Sequence, residues 1–240
     1  MTTRWRDICA RASFPVEATS VSWLSDKSTL GASLPRLGVG MIGAVGDIQR
    51  GLQLDESEAD LVTGVSARRR AQFTTGRHLA HQALDALGLR HEPLLSTESG
   101  APRWPAGVTG SISHARSLAA TVVSNTSRYA GVGIDLEQST RVSERVARRV
   151  LTQNELDLLH NPSQAAVLFS AKEAGYKAVN PLKGRYITFQ EAEIDVDWEL
   201  GQFTIRYLGS QPDNAVLEYG VGVFGFVGEH VITVFWILND

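Results

Sequence analysis

Gly131-Val132-Gly133-Ile134-Asp135-Leu136-Glu137 is the stretch around which the fold is organised. Its apolar residues and glycines predict a buried strand that carries two acidic residues near its end. Since side chains alternate between the two faces of a strand, Asp135 and Glu137 project to one side, and Ile134 and Leu136 to the other. Carboxylates held side by side repel each other unless a cation lies between them, and such oxygen donors suit Mg²⁺. The stretch therefore outlines a divalent-metal site; an ordinary strand end with both acids in water is the alternative.

A second stretch, Phe169-Ser170-Ala171-Lys172-Glu173-Ala174-Gly175-Tyr176-Lys177, predicts a helix. Small and apolar residues recur at helical spacing and predict a narrow stripe that packs closely on a sheet: Leu168, Ala171, Gly175 and Val179. Beside that stripe, Glu173 lies one turn from Lys177, and Lys172 lies one turn from Tyr176. The polar flank thus carries a carboxylate, two ammonium groups and a phenol, although a surface ion pair would also explain Glu173 and Lys177.

Together the two stretches resemble the 4'-phosphopantetheinyl transferases, specifically the larger monomeric type that serves siderophore, peptide and polyketide synthases. Further blocks upstream follow the order that this family shows: Arg69 and Arg77 around Phe73, Trp104-Pro105, and Gly110-Ser111-Ile112-Ser113-His114. The resemblance covers roughly residues 60 to 200, and several separated blocks are more specific than any single motif.

The resemblance implies a set of site residues. The Mg²⁺ ligands would be Asp135, Glu137 and Glu173, and the catalytic groups Glu173, Asp135, Lys177 and His114. The groups that contact coenzyme A would be Arg69, Arg77, Arg103, Ser113, His114, Lys172 and Lys177. Among these, Arg69 and Arg77 would hold the 3'-phosphate, with Arg70 as a substitute for Arg69, and Ser113 with His114 would contact the pyrophosphate. A solvated basic turn is the alternative for residues 68–70. Arg103 would replace a basic residue that many relatives carry in the loop at 96–101.

The same resemblance implies an α/β fold built as a pseudo-dimer of two similar halves, residues 1–126 and 127–240, with coenzyme A in the cleft between them. From the residues themselves, an order of strand, helices and hairpin occurs before residue 125 and again after residue 129, which favours this division. Clefts between domains are also preferred ligand sites.

Local signals predict individual elements. Ser66 is a candidate N-cap for a helix that reaches Leu87, and residues 108–113 and 118–123 predict a hairpin. A helix from about Ser139 to Val150 would turn Val142, Val146 and Val150 inward and Arg141, Arg145 and Arg148 outward. Thr152 and Glu155 form a capping-box pattern. Ser163 is the predicted N-cap of the helix that carries Glu173, and Pro181 is expected just beyond its end.

Composition limits the classes of function. With 240 residues, 43% hydrophobic and 20% charged, the chain is typical of globular proteins, and no apolar run suggests a membrane span or an export signal. We therefore expect a cytoplasmic protein. The single cysteine, Cys9, cannot form an internal disulfide. A net charge of −3 disfavours a nucleic-acid partner.

The expected partners are coenzyme A and an acyl or peptidyl carrier protein. Two alternatives stay open: a Mg²⁺-dependent nuclease or phosphodiesterase, and a non-catalytic coenzyme A-binding module.

Overall fold

The computed structural model describes residues 32–33, 40–90, 92–98, 100–183 and 187–239, which form two antiparallel sheets with helices packed on them. The first sheet, in the order β1-β2-β4-β3, consists of β1 (Ala32–Ser33), β2 (Met41–Asp47), β3 (Val108–His114) and β4 (Leu118–Asn125). The second sheet, in the order β5-β9-β8-β7-β6, consists of β5 (Tyr129–Gln138), β6 (Ala192–Asp197), β7 (Gln202–Tyr207), β8 (Gly220–Val227) and β9 (His230–Leu238). The chain passes from one sheet to the other at residues 126–128. Cys9 lies outside the described residues.

Five α-helices connect these strands within the described residues: α1 (Glu56–Asp60), α2 (Ala67–Ala86), α3 (Glu144–Val150), α4 (Gln153–Asp157) and α5 (Pro162–Lys183). Short 3-10 helices occupy Phe189–Glu191 and Pro212–Tyr219. The combination of helices and antiparallel sheets confirms the expected mixed α and β class.

Helix α2 packs on the first sheet and forms as the sequence predicts. The Ser66 hydroxyl accepts a hydrogen bond from the Arg69 amide and caps the first turn. At the other end Gly88 has a φ of 76°, a left-handed conformation that suits glycine just after a helix. Ala80 and Leu84 share a buried cluster with Val123 of β4, so apolar burial anchors the helix to the sheet.

Strand β5 joins the two halves because it contributes to two buried surfaces. It is an edge strand of the second sheet and contacts β3, the edge strand of the first. Ile134 and Leu136 belong to a hydrophobic cluster that also contains Val45 and Val122 of the first sheet. The face of β5 that carries Ile134 and Leu136 therefore packs against the first half. The alternate residues of β5 point to the opposite side of the strand.

Helix α5 covers the other face of β5 at unusually short range. A Cβ on Gly131 would lie 2.2 Å from the Ala178 carbonyl oxygen, and one on Gly133 would lie 2.0 Å from that of Ala174. Only glycine permits this approach. Since Asp135 follows these glycines on the same side of the strand, its carboxylate faces α5.

Several predicted element details are wrong. Helix α3 starts at Glu144 with Ser143 as its N-cap, and Val146 is exposed, whereas Val142 is buried outside the helix. The Asn161 side chain, rather than Ser163, accepts from an amide at the start of α5. Pro181 lies inside α5, which continues to Lys183. The capping box of Thr152 and Glu155 is confirmed.

Of the helices in the described part of the chain, none combines the length and apolarity that crossing a membrane requires.

Candidate active site

Asp135 is the centre of a polar cluster at the junction of the two halves, and it is 6% exposed. The Ser113 hydroxyl donates to its Oδ1 at 3.0 Å, and the Lys177 ammonium donates to the same oxygen at 2.6 Å. Its Oδ2 accepts from the Ser170 hydroxyl at 2.9 Å. Strand β3 of the first half and helix α5 of the second thus meet on one carboxylate.

Ser113 fixes the two edge strands against each other. Its Oγ accepts from the Leu136 amide at 3.2 Å and from the Lys177 ammonium at 3.1 Å. An amide on an edge strand has no partner in its own sheet on that side, so this side chain supplies the missing acceptor.

The two other expected acids flank Asp135. Burial, followed by the negative charge of Asp135, raises the pKa of the half-buried Glu173 carboxyl, and Lys177 partly opposes this effect. The pKa of Glu137, which is 7% exposed, is likewise raised, chiefly by burial. Its Oε1 accepts from the Gln138 amide and lies 3.6 Å from the Arg141 guanidinium. A raised pKa means that each of these carboxyl groups binds a proton more readily, and a nearby cation would stabilise its charged form.

His114, at the end of β3, connects this cluster to α2. Its Nε2 contacts Nη1 of Arg69, and since guanidinium groups only donate, the imidazole is the acceptor and is neutral in this contact. Burial, with the charges of Arg69 and Lys177, lowers the pKa of His114, which is consistent with a neutral ring. Arg69 is exposed, so the structure leaves its guanidinium accessible at the edge of the cluster.

The contacts of Lys172 differ from the contact with coenzyme A that was expected for it. It is 3% exposed, and its ammonium donates to Glu155, at 2.7 Å, and to the carbonyls of Val150 and Phe189, each at 2.9 Å. The expectation that Lys172 binds a phosphate is corrected, because an ammonium has three N–H donors and all three are used inside the protein.

The remaining arginines lie apart from this cluster. Arg77 is 3% exposed, packs over the Phe73 ring and lies 3.9 Å from the Glu58 carboxylate, so it is buried inside the first half. Arg70 donates to the Val62 carbonyl at 2.8 Å, whereas Arg69 contacts His114. Arg103 is exposed in its loop, and within the described residues no polar contact links it to Asp135.

The alternative of a surface ion pair within α5 is also corrected, since the Lys177 ammonium pairs with Asp135 rather than with Glu173. Ser170 is the residue that the sequence reasoning missed. It lies one helical turn before Glu173, so it shares a side of α5 with that residue, and this spacing could have identified it.

The acids fit a divalent cation by their chemistry but do not surround one. Asp135, Glu137 and Glu173 are hard oxygen donors whose mutual repulsion a dication would offset. In the described part of the chain, however, no three acidic, histidine or cysteine side chains are arranged closely enough to hold a metal. The Lys177 ammonium supplies the positive charge at Asp135.

A cavity of about 130 Å³ opens beside Glu173. Its walls are largely apolar and include Tyr176, Ile187, Phe189 and Leu217. Lys172 and Glu173 are the charged residues of its lining.

Comparison with known proteins adds independent information. Residues 57–124 match the family described as the 4'-phosphopantetheinyl transferase N-terminal domain, and residues 131–235 match the 4'-phosphopantetheinyl transferase superfamily. The 4'-phosphopantetheinyl transferase Svp of Streptomyces mobaraensis is 36% identical over 162 residues, 65% of this chain and 66% of that protein. The 4'-phosphopantetheinyl transferase PptT of Mycobacterium tuberculosis is 34% identical over 165 residues, 63% of this chain and 69% of that protein. Npt of Nocardia iowensis, named likewise, is 36% identical over 154 residues, 62% of this chain and 69% of that protein.

Among solved structures, a holo-(acyl-carrier-protein) synthase from Bacillus anthracis in complex with CoA (3',5'-ADP) is 20% identical and covers 47% of this chain and 99% of that one, with a TM-score of 0.36. That likeness is too low to bear on the site.

Proposed function

This chain belongs to the 4'-phosphopantetheinyl transferases, and from that premise we propose that it moves the 4'-phosphopantetheine group of coenzyme A onto a serine of an apo carrier protein, with Mg²⁺ as cofactor. The observation that carries the proposal is the Asp135 cluster. It joins Ser113 of β3 to Ser170 and Lys177 of α5, at the junction of the two halves. The motifs that resemble the family thus converge on one carboxylate.

In the proposed reaction, the carrier serine oxygen bonds to the phosphorus that bears the pantetheine. The bond from that phosphorus to the bridging pyrophosphate oxygen breaks, and adenosine 3',5'-bisphosphate leaves. The serine proton passes to Glu173, directly or through a water, because its raised pKa suits a general base. The cavity beside Glu173 has an apolar lining that would contact part of the pantetheine arm.

Positive charge for the pyrophosphate comes from the rim of the cluster. Lys177 and Arg69 would supply this charge, and the neutral His114 ring lies against Arg69. Asp135, Glu137 and Glu173 would hold Mg²⁺. When bound, the ion would neutralise charge that builds on the leaving group.

The acidic carrier would approach over α3. Arg145 is exposed there, while Arg148 pairs with Glu144 and Arg141 lies near Glu137. Exposed charges at a rim act mainly on association. We therefore propose Arg145 as the residue of this basic face that is freest to steer the carrier.

The test is a mass measurement. The protein, coenzyme A, Mg²⁺ and an apo carrier are mixed, and the carrier should gain the mass of one phosphopantetheine group. Glu173→Gln and Asp135→Ala should each lose most of this transfer, while Glu199→Gln, an exposed acid in the turn between β6 and β7, should retain it. Near-normal transfer by either site variant contradicts the assignment. Cleavage of plasmid DNA without any carrier mass gain would favour the nuclease alternative.

A further inference from the structure

A buried ion pair lies directly behind the candidate base. The Lys172 ammonium and the Glu155 carboxylate are 2.7 Å apart, and both side chains are almost completely removed from solvent. Burial lowers the pKa of Lys172, and the charge of Glu155 opposes this effect. A buried charge needs its partner, so the two residues depend on each other.

Glu155 extends the contact beyond the pair. Its Oε2 accepts from the Thr152 amide at 2.7 Å, and its Oε1 accepts from the Ile194 amide at 2.8 Å. The pair therefore ties the middle of α5 to the start of α4 and to the beginning of β6.

The third partner of Lys172 connects the pair to the cavity. The Phe189 carbonyl accepts from the ammonium, and the Phe189 side chain forms a wall of the cavity that Glu173 borders. Glu173 is the next residue along α5. Lys172 thus fixes the helix that carries Glu173 and the facing wall at the same time.

We propose that Lys172 is a positioning residue: its pairing with Glu155 fixes the position of Glu173 relative to the facing cavity wall. Its ammonium is not a phosphate ligand, because its three donors are used inside the protein. This inference rests on the proposed function, because its effect is read through transfer.

The expected consequence is a loss in turnover without a loss in coenzyme binding. Lys172→Met has similar length but leaves the Glu155 carboxylate buried without a cation and two carbonyls without a donor. A displacement of the helix by a fraction of an ångström is enough to lower kcat by about 10-fold or more. The KM for coenzyme A should stay within about 2-fold of wild type, since no phosphate contact is removed.

The discriminating experiment is a double-mutant cycle with a mass readout of the carrier. Adding Glu155→Gln to Lys172→Met removes the stranded charge, so the double variant should turn over about 3-fold faster than Lys172→Met alone. Arg90→Met, an exposed cation exchanged in the same way, should match wild type. A rise of about 10-fold or more in the coenzyme A KM for Lys172→Met, or losses that multiply in the double variant, would overturn the proposal.

If Lys172→Met does not fold, Glu155→Gln alone tests the same proposal. It should lower kcat with an unchanged coenzyme A KM, and a wild-type kcat would overturn the proposal. Wild type that transfers nothing refutes the proposed function, whereas active wild type with a coenzyme-binding defect in Lys172→Met refutes only the positioning role.

Discussion

Gly133→Ala tests whether the close contact between β5 and α5 builds the site. The added Cβ would lie 2.0 Å from the Ala174 carbonyl oxygen and 2.7 Å from the Ala178 amide nitrogen. Both are backbone atoms of a helix, so no side-chain rotation relieves the overlap. The helix must move away from the strand by at least about 1 Å to reach even the shortest contacts that Cβ atoms make.

That displacement has two measurable effects. Overpacking of a buried contact costs about 1–3 kcal/mol of unfolding free energy, which a thermal or urea transition would detect. It also separates Glu173 and Lys177, on α5, from Asp135, on β5. A misplacement of about 1 Å among reacting groups can lower the rate about 100-fold, so kcat for carrier modification should fall to that extent in a protein that is still folded.

Gly222→Ala is the matched control. Its Cβ would lie 2.1 Å from the Phe203 ring, an overlap with a buried side chain rather than with the backbone of α5. It should lose stability but retain kcat below its unfolding transition, because no backbone atom of α5 is displaced directly. If Gly133→Ala remains folded and turns over like wild type, close approach is not what assembles the site.

Three further outcomes are expected. Because burial, followed by the charge of Asp135, raises the pKa of the Glu173 carboxyl, and a base must be ionised, kcat should rise with pH on the acid side; a flat acid limb contradicts this. Arg145→Glu should raise the KM for an acidic carrier, more so at low salt, and leave coenzyme A affinity unchanged in calorimetry, whereas an unchanged carrier KM removes the steering role. Arg69→Ala should weaken coenzyme A binding. Arg70→Ala should not, because the Arg70 guanidinium donates to the Val62 carbonyl. Equal effects of the two variants would show that the contact with His114 does not identify the arginine that binds coenzyme A.

The elements that local chemistry determines could be predicted from sequence. The cap at Ser66, the glycine after α2 and the capping box at Thr152 each depend on residues within one turn. Pro181 shows where such rules fail. The residue was expected to lie beyond the helix, yet α5 includes it, and a helix packed against β5 gains burial that can offset a lost backbone hydrogen bond.

The face of β5 that carries the acids was predictable because strand alternation is a strict rule. Asp135 and Glu137 follow the glycines of one face, and those glycines let α5, which carries Glu173, approach that face. The partners of the arginines were not predictable in this way. Whether Arg77 turns to a ligand or to Glu58 depends on a buried acid 19 positions earlier, which no spacing rule links to it.

The two lysines of α5 show why a motif identifies residues but not their roles. Lys172 and Lys177 are five residues apart, which rotates them by about 140° around a helix, so they cannot face the same surface. Lys177 is only about 40° from Glu173 and turns with it toward β5, where it pairs with Asp135. Lys172 turns instead toward the start of α4 and pairs with Glu155. The rotation is fixed by the sequence, but which surface lies on each side is fixed by the fold. A motif that contains both lysines therefore combines a group that acts at the site with one that holds the helix in place.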